Sequence, residues 1–399
     1  MFTPEQLTRY ADVLLWGLDT ARSKPYQRGD IVVVRFDLDA LPLAETLQQR
    51  LVGMGLNPIV RLNLTPTMEK AFYGLAGDDQ LSFVAPGEDL LSDNLHGIIS
   101  LLAPASLTHL RDVDPGRIGV AARARKRLRD ILDRREEVGD FGWTLCAWPT
   151  EAQAQCAGLT LDEYTAQIVQ ACRLEESDPV AAWGEIFETA NEVKQMLNSL
   201  PIETLHVESD SCDLRLAPGD MRRWIGVSGH NIPSFEIFLS PDWRTVDGVY
   251  HADQPSYRNG NYVRGVTLEF AKGRVVKATA QDGQDFLRKQ VEMDEGAAQV
   301  GEFSLTDKRF SRIDRFMANT LFDENFGGPN GNCHLALGAS YSDTYAGDPA
   351  ELDADARRRL GFNDSALHWD LVNTEEKRVT AKLAGGGSRV VYDKGCFID

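Results

Sequence analysis

Between Thr320 and Tyr341 the chain reads TLFDENFGGPNGNCHLALGASY, which sets Asp323, Glu324, His334 and Tyr341 close together. A carboxylate pair, an imidazole and a phenol in one stretch suit a hard-metal site with a polarising neighbour. Three other segments bury a polar residue in an apolar run. Glu236 lies between Phe235 and Ile237 in IPSFEIFLS, and Glu302 follows a glycine in VGEFSL. His368 and Asp370 stand two apart in SALHWDL, so on a strand both side chains share a face. Each has an ordinary reading alone: a glutamate on a solvated strand face, a turn residue, a core histidine, a surface hydrogen-bonded pair.

Together they read differently. Carboxylates mixed with two imidazoles form the O/N donor set that divalent zinc, cobalt or manganese takes in hydrolytic sites. Two ions roughly 3.5–4 Å apart need a bridging carboxylate, which this pool can supply. Such a pair acidifies a water and polarises a carbonyl, the equipment for amide hydrolysis. No H-E-x-x-H is present, and Gly338-Ala339-Ser340-Tyr341-Ser342 lacks the last glycine of a nucleophile elbow. Single-zinc protease and serine hydrolase chemistry are therefore unsupported.

The elements that must carry these residues fall into two textures. In the first half, β-branched runs such as Ile31–Phe36, Pro58–Leu64, Gly97–Leu102 and Phe141–Trp148 alternate with helical spacing. That alternation predicts an α/β domain with a mostly parallel sheet. Arg117–Glu136 reads as one long basic helix with a solvated face. Arg35-Phe36-Asp37-Leu38-Asp39 stands where a dinucleotide fold wants G-x-G-x-x-G, which disfavours nicotinamide or flavin. Beyond residue 200, ETLHVES, CDLRLA, FEIFLS, VRGVTLEF, RVVKATA and SRVVYD alternate apolar and polar residues. This predicts an α+β C-terminal domain rich in antiparallel strands that carries the metal site. The expected division is residues 1–200 for the N-terminal domain and 201–399 for the catalytic, metal-binding one.

Composition bounds the partners. With 60 acidic against 42 basic residues the net charge is −18, which argues against nucleic acid and anionic membrane. No apolar run approaches the roughly 20 residues of a membrane span. The first residues read as an amphipathic helix, not a signal peptide. Six cysteines are scattered with no CxxC, so neither a zinc ribbon nor a disulfide framework is expected, and a cytoplasmic setting is.

The motifs also carry a family resemblance. HNIPSFEIFLSP, VGEFSL, TLFDEN followed by CHLALGASY, and SALHWD are similar, in order and spacing, to the signatures of the M29 metallo-aminopeptidases of the aminopeptidase T and aminopeptidase S type. Upstream, GDIVVVRFDLDALPLAETLQQRLVGMGLNPIV, FGWTLCAWPTEAQAQCAGLTLDEY and DPVAAW resemble that family's N-terminal half. The resemblance implies metal ligands at Glu236, Glu302, His334, His368 and Asp370, with Glu324 of the DEN motif as a further member. It implies that Glu302 also assists the attacking water and that Tyr341 hydrogen-bonds to the reacting centre. It implies two divalent metal ions (zinc, cobalt, magnesium or manganese), a short peptide substrate bound by its free N-terminus, and a homodimer enclosing a large cavity. Two departures stand out. FGGPNGNC lengthens the link between DEN and the histidine, and Pro233-Ser234-Phe235 replaces an Asp-Gly pair common before Glu236. Two other readings share the site: a catalytically inactive metal-binding protein, and a dinuclear hydrolase of another amide or ester.

Overall fold

A computed structural model describes residues 1–258, 261–348 and 351–398; Asp399, last in the expected catalytic domain, lies outside them. The chain divides into two compact units, Met1–Trp183 with Ser228–Pro233, and Gly184–Val227 with Ser234–Asp399.

The first unit is built on a five-stranded, wholly parallel sheet in the order Asn57–Leu62, Ile31–Phe36, Gly97–Leu102, Gly142–Ala147, Asn231–Ile232. Val32, Val33 and Val34 are buried because a strand covered by helices has no solvated face. Thr3 and Gln6 close a capping box that starts the helix Pro4–Thr20, whose buried stripe is Tyr10, Ala11, Val13, Leu14, Gly17 and Leu18. The single basic helix expected over Arg117–Glu136 is in fact two, Pro115–Ala124 and Lys126–Glu137, meeting at Arg125. Each half has its own partner. Ala121 packs with Tyr73 and Leu81, while Leu132 packs against Leu95 and Phe141. Two separate attachments overrode one continuous periodicity.

The second unit holds two larger antiparallel sheets. One has eight strands, in the order Arg274–Thr279, Val266–Ala271, Asp247–Ala252, Asp213–Leu216, Ile202–Glu208, Arg378–Leu383, Ser388–Asp393, Cys396–Phe397. The glycines of Ala384–Ser388 close the hairpin between two of them, with Gly385, Gly386 and Gly387 all at positive φ. The other has four strands: His368–Asn373, Asn332–Gly338, Val300–Thr306 and Glu236–Leu239. Its two central strands are buried along their whole length. Here the expected strand IPSFEIFLS is interrupted, since Ile232 ends a parallel strand of the first unit and pairing resumes only at Glu236.

Candidate metal centre

Register alone gathers the polar residues. Directly opposed residues of antiparallel strands project to the same face. The ladder pairs Thr306 with Glu236, Ser304 with His334, Glu302 with Ala336, Ala336 with Asp370, and Gly338 with His368. Glu236, Glu302, His334, Asp370 and His368 thus share one face of the four-stranded sheet. Glu302, Ser304 and Thr306 alternate in unbroken register, and the bulge at Gly301 shifts only the pairing before Glu302, setting Val300 on the opposite face. Cys333 points the other way, into the core beside Tyr250, as strand alternation requires.

The side chains converge in two overlapping groups. Glu236, Glu302 and His334 form one, and Glu302, His368 and Asp370 the other, with donor atoms in each group within 4.8 Å of one another. His334 Nε2 lies 2.9 Å from Glu302 Oε1 and 3.4 Å from Glu236 Oε2. His368 Nε2 lies 3.3 Å from Asp370 Oδ1 and 3.6 Å from the second Glu302 oxygen, Oε2. Glu302 therefore offers one oxygen to each imidazole.

Behind each imidazole stands a backbone carbonyl. The Nδ1–H of His334 donates to the Glu324 carbonyl at 3.3 Å, and that of His368 to the Ala339 carbonyl at 2.9 Å. Such a partner fixes the tautomer and turns Nε2 toward the carboxylates, the arrangement that metal-ligating histidines take. Arg258, whose charge reaches Asp370, donates from Nη1 to the His368 carbonyl at 2.7 Å.

The cluster's residues shift one another's protonation. Burial, then the Glu302 charge, pushes the Glu236 carboxyl up to about 8. Burial, then the charges of Glu236, Asp370 and Glu302, holds Glu324 well above the usual carboxylate range. For His334, burial would lower the pKa, but the hydrogen bond and charge of Glu302 outweigh it and raise it to about 9. His368 reaches about 9 the same way, through Asp370 and Glu302. Those two imidazolium charges lower Asp370 against its burial. A buried set that holds protons to balance its own charge is a set a divalent cation fits, displacing them as it binds.

These shifts set a pH dependence for chelator-treated protein. Glu236, His334 and His368 all have folded pKa values above their ordinary 4.5 and 6.5. Each contributes stability that is complete below the ordinary value and lost as pH rises through the folded one. The melting temperature should therefore fall between about pH 5 and pH 9, and saturating divalent metal should flatten the profile. A melting temperature that rose across that window would contradict the assignment.

Glu324 and Tyr341 belong to neither of the two groups but lie beside them. Glu324 lines a cavity of ≈ 20 Å³ with Asp370, Tyr257 and Asn319, room for about one water. Tyr341, 44% exposed, sets its ring 4.7 Å from His368 and 5.8 Å from Phe238, edge-on to both. Asp323 braces the preceding loop, accepting from the backbone N–H groups of Met317 and Asn319. Three other histidines stay away: His206 pairs with Asp213, His230 with Glu136, and His251 lies in the strand Asp247–Ala252 and bonds Thr267.

Gly301 escaped notice in the sequence, where a glycine before Glu302 resembles a turn. A Cβ at this position would meet the Ala339 carbonyl oxygen at 2.2 Å and that of Gly338 at 2.4 Å. Gly301→Ala should cost about 1–3 kcal/mol by overpacking and displace Glu302. Thermal unfolding and metal content should both register it, and an unchanged melt would remove this role.

A buried sheet face that gathers carboxylates and imidazoles in this way could hold a divalent metal ion. A family model described as thermophilic metalloprotease (M29) matches residues 3–397. Aminopeptidase AmpS of Bacillus subtilis (strain 168) is 26% identical over 395 residues, covering 92% of this chain and 94% of the relative. Aminopeptidase 2 of Geobacillus stearothermophilus is 31% identical over 310 residues, covering 72% of each chain. The solved structure of wild-type AmpT from Thermus thermophilus superposes with a TM-score of 0.81 at 21% identity, covering 98% of this chain and 99% of that one. The chain belongs to the M29 metalloprotease family. It is a peptidase, its fold is the expected α/β plus antiparallel arrangement, and membership implies use of a divalent metal. Among the described residues no helix is long and apolar enough to cross a membrane.

Proposed function

We propose that the chain is an aminopeptidase that releases N-terminal amino acids from short peptides, using two divalent ions held by residues of the 201–399 half. The observation that carries this reading is the pair of overlapping donor groups that share Glu302. Glu236, Glu302 and His334 would hold one ion, and Glu302, His368 and Asp370 the other, with Glu324 near both. Zinc, cobalt, magnesium or manganese suits the mixed donors. Bound there, the ions supply Lewis acidity toward the scissile carbonyl and acidify the attacking water.

The chain's own residues do the rest. The surplus of carboxylates attracts the cationic free amine of a peptide. Glu302 accepts the proton of the attacking water and returns it to the leaving amine. Glu324, in the cavity wall outside both groups, is a second carboxyl placed to carry that proton. Tyr341 keeps its phenolic proton, because desolvation first and then the charges of Glu302 and Asp370 hold its pKa above the ordinary value. It can then donate to the developing oxyanion. A cytoplasmic homodimer acting on short peptides completes the reading, as the family resemblance implies, and the names of the relatives support the aminopeptidase activity alone.

The test compares aminoacyl-p-nitroanilides with their N-acetylated forms. An aminopeptidase hydrolyses the first and not the second. Equal hydrolysis of both would favour a general amidase or esterase on the same site, and bound metal without turnover would favour a binding protein.

A further inference from the structure

The departure in the link between DEN and the histidine has a structural answer, which rests on the metal-site reading above. Between Glu324 and His334 the chain runs through Phe326-Gly327-Gly328-Pro329-Asn330-Gly331, and Asn332 closes it. Asn332 is completely buried. Its Nδ2 donates twice, to the Glu324 carbonyl at 3.1 Å and to the Phe326 carbonyl at 2.6 Å. The Glu324 carbonyl is the same atom that receives His334 Nδ1–H, and Thr306 Oγ1 donates to it as well, at 3.4 Å. One carbonyl thus collects three donors, and one of them is the ring of His334 itself.

The amide is used at a loss. With Nδ2 turned to two carbonyls, Asn332 Oδ1 is buried without a hydrogen-bond partner among the described residues. A neighbouring amide does a matching job: Asn325 Oδ1 accepts from the Phe235 N–H at 2.5 Å, and its Nδ2 donates to the Leu321 carbonyl. That contact is made at the residue just before Glu236. The two asparagines flank the Glu324 carbonyl and act on the same donor group, one through His334 and the other through Glu236.

We propose that Asn332 is a positioning residue for His334. It clamps the two ends of the lengthened link so that the Glu324 carbonyl, and with it the imidazole, keeps its orientation toward the Glu236–Glu302–His334 position. Asn325 aligns Glu236 at that same position. Among the described residues no hydrogen bond joins either asparagine to Glu302, His368 or Asp370, so the effect should fall mainly on one of the two ion positions and reach the other only through the shared Glu302.

The experiment titrates Co(II) into chelator-treated Asn332→Asp and unaltered protein, following the visible absorption of bound cobalt and the affinity of each equivalent. The substitution keeps the shape and turns a donor into an acceptor facing two carbonyls. Loss of an outer partner of a ligating histidine typically weakens metal binding about 10–100-fold. That loss should appear in one equivalent, with its cobalt spectrum altered, while the other equivalent holds within about threefold. Equal weakening of both equivalents, or of neither, would overturn the proposal. Asn332→Ser, which loses one of the two donations without adding a repulsive oxygen, serves if the aspartate variant does not fold, and the same outcomes decide it. Failure of the unaltered protein to bind cobalt at all would instead count against the metal-site reading.

Discussion

Glu302→Gln is expected to lower kcat/KM by about 10²–10⁴ on an aminoacyl-p-nitroanilide, the range that loss of a general acid–base commonly produces. The reason is positional. Glu302 is the one residue common to both donor groups, with one oxygen toward each imidazole. An amide in its place offers a neutral oxygen to one side and an N–H to the other, so metal content should fall with the rate. Glu324→Gln is the control that separates the two carboxyls. Glu324 belongs to neither group, so its variant should retain its metal. If it also loses rate, Glu324 is the proton carrier and Glu302 chiefly a ligand. Full activity in Glu302→Gln would remove the shared carboxylate from the mechanism.

His334→Ala should be the most damaging change to the sheet itself. The imidazole is 1% exposed, tied to the Glu324 carbonyl on one side and to Glu302 on the other. Removing it leaves Glu236 and Glu302 facing each other without the cation between them. Deleting one partner of a buried ion pair costs about 3–5 kcal/mol, which should appear as a lower melting temperature in chelator-treated protein. Turnover should become undetectable with the loss of one donor group. His368→Ala, at the more open position, should lose turnover with a smaller effect on the melt. Equal melts for the two variants would show that the buried and open positions do not differ as described.

Much of this was legible in the sequence, for a physical reason. Charged residues inside apolar runs are rare unless something pays for their burial, so Glu236, Glu302, His334, His368 and Asp370 stood out as residue types out of place. The H-x-D spacing gave a shared face directly, because strand alternation has a period of two. What could not be read was register. The bulge at Gly301 and the pairing of Ser304 with His334 depend on which strands meet, and that is settled by tertiary packing. Asn325 and Asn332 were invisible for the same cause, since a side-chain amide tied to a distant backbone leaves no periodic trace. The basic helix failed differently: its charge pattern ran on through Arg125, but its two halves found different neighbours.

The most direct measurement is metal stoichiometry with activity on one preparation, before chelation, after complete chelation, and after adding back zinc, cobalt, magnesium or manganese. Two ions per chain, hydrolysis abolished on their removal and recovered on their return is the predicted result. Turnover that persists after complete metal removal would contradict it.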